Sequence, residues 1–267
     1  MVKFMDSNKK LLISIIAFIV VLGIGVGILF FLGREKTPGQ SGQNGEFFSN
    51  LQYVDSEKMT SADMPDSPAM DNMQMSPSEM AVMEAFVSGT YYISMVDLSS
   101  SEQTEISMAI NGENFQMGFE INGIKLDCML LNDNIYFITK NKKFVDLNSL
   151  MSMAGETEEF DTSGMKEIAS MLDVTKYNFT SYQKTDVMLG ETQAVCYTYF
   201  SDDVNLSFYF AAGELRKISL ASTSGSDAFE IEVKAFQTTI PSGMLTLIGL
   251  KKANIIDFMT EMGLTLE

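Results

Sequence analysis

The chain of 267 residues has no histidine, no tryptophan and only two cysteines. Without histidine there is no Ser-His-Asp or Cys-His nucleophile pair, no imidazole general base and no His-ligated zinc. The two cysteines, Cys128 and Cys196, lie too far apart for a Cys-x-x-Cys redox or zinc motif. Each falls in an apolar, strand-like run and reads as a small buried hydrophobe. A disulfide between them is open to a protein outside the cytosol. Long basic runs are missing too. With 18 Lys+Arg against 35 Asp+Glu, the formal net charge is -17. That excludes a nucleic-acid partner, which needs a basic surface to neutralise phosphates. It also disfavours a body lying flat on an anionic membrane.

What is present begins with Leu11–Leu32, "LLISIIAFIVVLGIGVGILFFL", 22 residues without a charge. At about 1.5 Å per residue this reaches ~33 Å, enough to cross a bilayer core. Lys3, Lys9 and Lys10 precede it, and Arg34, Glu35 and Lys36 follow it. The cations favour a cytoplasmic N-terminus. The apolar run continues past Gly23, Gly25 and Gly27, which speaks against a cleaved signal peptide. The expectation is a signal anchor over 11–32, a cytoplasmic stub over 1–10, and a body outside the cytoplasm. The Gly-x-Gly-x-Gly echo of a dinucleotide loop lies inside this span and is discarded.

Residues 33–76 read as a polar linker with one short apolar island, "FFSNLQYV". The linker runs into "MPDSPAMDNMQMSPSEMAVM", which holds six methionines in 20 residues. Met70, Met73 and Met75 have soft thioethers at a spacing that suits Cu(I). No histidine accompanies them and methionine is abundant throughout, 21 in all, so a contact segment is the plainer reading. No cofactor or other metal is implied. Met80 and Met83 belong to a predicted helix instead. Ser76 caps it, Pro77 fits its first turn, Glu79 completes a capping box, and Gly89 ends it.

From Thr90 the hydrophobic period becomes two. "TEISMAI" and "ENFQMGFEI" alternate and are followed by Asn111-Gly112 and Asn122-Gly123, which predict hairpins with positive φ at both turn residues. "IKLDCMLL", "NIYFITK" and "KFVDL" continue the meander. "GMKEIASMLD" predicts a mid-chain helix, and "TQAVCYTYF", "VNLSFYF", "ELRKISLAS" and "AFEIEVKAF" a second meander. "KKANIIDFMTEMG" predicts a closing helix with Ile255, Ile256, Met259 and Met262 on its apolar face. Residues 77–267 are therefore an α+β domain: about eleven antiparallel strands, curled because three short helices leave much of the apolar face uncovered.

In its leading helix, "GTYYISM", the meander through "NDNIYFITKNKKFVDL", the mid-chain helix, the second meander and "IPSGMLTL", this organisation resembles the LolA-like and LppX-like half-barrels. These are extracytoplasmic folds of the lipoprotein-carrier type. The resemblance implies a concave sheet that holds acyl chains or lipoproteins beneath a helical lid, without enzymatic chemistry. A permanent anchor suits work at one membrane rather than shuttling.

On that reading Ile106, Met108, Ile110, Phe115, Met117, Phe119, Ile124 and Leu126 form a stripe lining a lipid-sized cavity. An ordinary packed core produces the same alternation, and is the commoner outcome. No catalytic residue stands out. Glu158-Glu159 and Asp202-Asp203 read as loop and turn, and the sequons at Asn178 and Asn205 are short enough to arise by chance. The expected protein is a single-pass cell-membrane protein that binds an apolar or lipid-like envelope ligand. The alternative is an envelope interaction or scaffold subunit with a fully packed core.

Overall fold

The computed structural model describes residues 52–53, 75–98, 105–121, 124–149, 172–223 and 228–261. The first six strands are β1 (Gln52–Tyr53), β2 (Thr90–Asp97), β3 (Glu105–Asn111), β4 (Asn114–Ile121), β5 (Ile124–Leu131) and β6 (Asn134–Thr139). They are followed by β7 (Lys143–Asp146), β8 (Ser181–Leu189), β9 (Thr192–Phe200) and β10 (Val204–Ala211). The last three are β11 (Glu214–Ser222), β12 (Ala228–Gln237) and β13 (Lys251–Lys252). Helix α1 spans Pro77–Ser88 and α2 spans Ile255–Glu261. The Leu11–Leu32 run, Met70, Met73, Asn122-Gly123, Glu158-Glu159 and nearly all of the expected mid-chain helix lie outside the described residues. Among the described residues no helix is long and apolar enough to cross a membrane.

These residues divide into two compact units, and β3 contributes to both. The α1 unit has strand order β1-β8-β9-β10-β11-β12-β2. All its pairings are antiparallel except that of β1, which runs parallel to β8 with Gln52 opposite Ser181. Alternation puts large side chains on one face: Phe208 pairs with Tyr197 and Ile218, and Leu206 with Tyr199. The other face carries small ones such as Ala194, Cys196, Ser207 and Ser219. Helix α1 covers the large face. Its Met83 and Phe86 have no exposed surface, and the Phe86 ring lies 4.8 Å from Tyr91, 5.2 Å from Phe208 and 5.1 Å from Phe236. Burying one such phenylalanine contributes about 1.5–3 kcal/mol.

The helix begins as the sequence predicts. The Ser76 hydroxyl accepts from Glu79 N at 3.3 Å, while Ser76 N donates to Glu79 Oε2 at 2.8 Å. Glu79 does more than cap, however. The same Oε2 accepts from the Tyr197 hydroxyl at 3.1 Å, so one buried carboxylate ties the helix start to β9.

The second unit, built on β4–β7, has strand order β4-β5-β6-β7-β13. Antiparallel register sets Met117 opposite Cys128, Cys128 opposite Phe137, and Phe137 opposite Val145. All four side chains are buried and share one face.

Three local expectations change. Gln52–Tyr53, inside the expected linker, is a strand: the apolar island supplies a partner for the otherwise open edge of β8. Lys251–Lys252, expected within the closing helix, instead pair in parallel with Lys143 and Phe144. That helix starts later and buries Phe258, while Ile256 stays 60% exposed. At Asn111-Gly112 the hairpin turns one residue later. Asn111 ends β3, and positive φ falls on Gly112 alone, as a type II′ turn requires, rather than on an Asn-Gly pair. Pairs with positive φ at both positions occur instead at Asn132-Asp133 and Ala212-Gly213. Among the described residues there are thirteen strands rather than about eleven, and the two extra members are the two-residue parallel edges.

Candidate functional site

Five of the six described side chains of the expected lining stripe are sealed. Met108 is 4% exposed, Ile110 3%, Phe115 0%, Met117 5% and Leu126 3%. Ile106, nearer the start of β3, is half-buried. The side chains of Phe119 and Ile124 lie outside the described residues, though their backbone positions fall opposite Leu126 and Ile121. Cys128 and Cys196 are buried free thiols. Burial, with the nearby Asp127 charge, pushes the Cys128 thiol up to about 12, so it is no nucleophile. Met75 is half-buried, while its proposed companions Met70 and Met73 are outside the described residues.

The opposite face of the β4–β7 unit is polar at its centre. Gln116, 5% exposed, donates through Nε2 to Asp127 Oδ2 at 2.7 Å and accepts at Oε1 from Leu245 N at 2.9 Å. This amide pins the 241–250 loop to the sheet. The loop backbone is strained there, since Leu245 holds φ +52 without being glycine. Burial raises Asp127 above the usual carboxylate range, and the Gln116 hydrogen bond offsets only part of that. From the pinned loop Ile248 projects 88% exposed.

The loop leads into β13, and a cleft of about 260 Å³ opens beside it. Val145, Asp146 and Ser149 line one side, and Lys252, Ala253, Asn254 and Ile256 the other. Lys252 Nζ meets Asp146 Oδ2 at 2.8 Å, and Ser149 N donates to Asp146 Oδ1 at 2.6 Å. Burial pushes the Asp146 carboxyl up, but these bonds more than offset it and hold it below its usual range. Lys143 pairs with Glu261 of α2, which fastens that helix to β7. Glu261 titrates below its usual range for that reason, with Thr139 and Asn141 assisting. The cleft is lined by none of the eight stripe residues. Sequence reading missed it because β7 and β13 are about a hundred residues apart and β13 has only two residues.

No family model matches the chain, and no curated protein does. Among solved structures it is similar to MucB, at 10% identity and TM-score 0.33, covering 63% of this chain and 61% of MucB. It is similar also to the Pseudomonas aeruginosa MucA/MucB complex structure, at 10% identity and TM-score 0.31, covering 64% and 61%. A third is a domain from Vibrio parahaemolyticus named for outer membrane lipoprotein sorting, at 9% identity and TM-score 0.21, covering 63% and 95%. The chain thus spans about three-fifths of the MucB chains it matches. At such scores these are resemblances alone, and the chain's role must come from its own residues.

Proposed function

We propose that this chain is a single-pass, N-in membrane protein whose extracytoplasmic body binds a protein partner of the cell envelope without enzymatic chemistry. One observation carries the choice of a protein over a lipid. Met108, Ile110, Phe115, Met117 and Leu126 are each at most 5% exposed. A cavity holding an acyl chain would leave its lining side chains with surface, whereas these are packed as a core. The anchor rests on the 22 uncharged residues of Leu11–Leu32 and the lysines before them. The absence of histidine supports a binding role.

The test uses the full-length protein in its native membrane. Photo-crosslinking from surface positions should trap a defined protein, and native mass spectrometry of the detergent-extracted chain should find no stoichiometric lipid. A lipid that co-purifies one-to-one and is displaced by Met117→Trp would restore the lipid-carrier reading and overturn this one.

A further inference from the structure

The chain is strongly acidic, yet five of its 18 basic residues gather at one corner of the β4–β7 unit. They come from two distant runs, Lys140, Lys142 and Lys143 at the β6–β7 turn, and Lys251 and Lys252 in β13. The parallel pairing joins the runs: Lys251 sits opposite Lys143, and Lys251 N donates to Lys142 O at 2.9 Å. The turn itself is fixed, with Lys142 N donating to Thr139 O at 3.0 Å and Lys142 holding φ +58. Lys143 and Lys252 are engaged by Glu261 and Asp146, and Asp257 is the further carboxylate acting on Lys143. Lys140, Lys142 and Lys251 are exposed and form no ion pair among the described residues.

Three lysines without an ion pair among the described residues thus lie on the two backbone runs that meet at β13, whose Lys252 lines the cleft together with Ile256. At about 260 Å³ the cleft falls short of the roughly 300–1,000 Å³ of a small-molecule site. It has room for an apolar side chain, and Ile256 at 60% exposure is the surface such a side chain would cover. A net charge of -17 opposes approach to an anionic bilayer. It does not oppose a local contact, because charges beyond about 8 Å are screened at physiological salt.

We infer that this corner docks a segment of a partner protein in which acidic side chains flank one apolar anchor. The anchor enters the cleft against Ile256, and the carboxylates meet Lys140, Lys142 and Lys251. The inference rests on the protein-partner reading above and names its site and chemistry. Charged contacts of this kind steer encounter and set salt dependence, while the buried anchor holds the complex.

The experiment takes the full-length protein in a neutral detergent. The probe is a fluorescein-labelled peptide with one leucine among glutamates, and its lysine counterpart is the control. Fluorescence anisotropy should report binding of the acidic peptide alone, weakening as salt rises. The triple variant K140E/K142E/K251E should bind it at least about tenfold more weakly. Ile256→Asp should weaken it too, and both variants should keep the parent melting temperature because the replaced side chains are exposed. Equal binding by parent and triple variant, or no binding by the parent, overturns the proposal. So does binding to phosphatidylglycerol vesicles that the triple reversal abolishes, since the corner would then serve a membrane. Crosslinking in cells separates the two levels. A partner still trapped by the triple variant removes this site and leaves the binding role standing, whereas no partner trapped by either protein removes the role itself.

Discussion

Glu79 shows how much one side chain can couple. Its Oε2 accepts both the Ser76 amide and the Tyr197 hydroxyl. Glu79→Gln keeps an oxygen able to accept both bonds and should cost little, whereas Glu79→Leu leaves two donors unsatisfied. Tyr197→Phe removes one donor from a buried carboxylate and should cost about 1–3 kcal/mol in urea unfolding. Ser76→Ala should cost about 1 kcal/mol. Asp127 and Asp146 respond to pH in opposite directions. Asp127 titrates above its unfolded value, so its share of stability is present at acid pH and lost as pH rises through the raised value. Asp127→Asn should therefore raise the melting temperature at neutral pH and leave it unchanged well below the carboxylate range. Asp146 titrates below its unfolded value, so its share is present at neutral pH and lost as pH falls through the depressed value. Lys252→Met should shrink that acid-side loss, with the Ser149 bond left in place, and thermal melts across pH would reveal it.

Among the elements, α1 carries the clearest prediction. Phe86→Ala empties the space among Tyr91, Phe208 and Phe236 and should cost about 3–5 kcal/mol. The β10–β11 hairpin is a finer test. Gly213 has φ +77, and a Cβ there would stand 2.8 Å from Ser78 Oγ, so Gly213→Ala meets both backbone strain and the first turn of α1. Ala212, at φ +52, should gain from replacement by glycine or asparagine. The long strands were legible because alternation over seven or more residues leaves little choice of period, and the capping box named the start of α1 to the residue. β1 and β13 were not, because two residues carry no period and their partners are remote in sequence. The Asn132-Asp133 turn was legible only as the gap between two runs, and its paired positive φ was not, because it contains no glycine. The candidate site was hidden twice over. A sealed stripe and a lined cavity have the same alternation, and nothing in "NKK" or "LKK" indicates that the two lysine runs become neighbours.

For the whole molecule, the absent disulfide and sealed stripe lead to one measurement. Cys128 and Cys196 are both about 5% exposed. They should react with a thiol reagent only after denaturant unfolds the chain, and should then report two thiols per molecule. Fast labelling of either thiol in native protein would contradict the packing described for its unit. The sealed stripe also implies that apolar dyes bind weakly to the native chain and strongly once the β4–β7 unit opens.

The parallel pairing of β1 with β8 has a mechanical meaning. In a chain anchored as proposed, a partner pulling on the body transmits tension through residues 33–51 to Gln52 before it reaches α1. Among the described residues the first joint to bear load is then a ladder only two residues long. Its rupture would leave Ser76, Glu79 and Tyr197 still holding α1 to the sheet. Such a link would act as a fuse, giving way under force and sparing the sheet behind it.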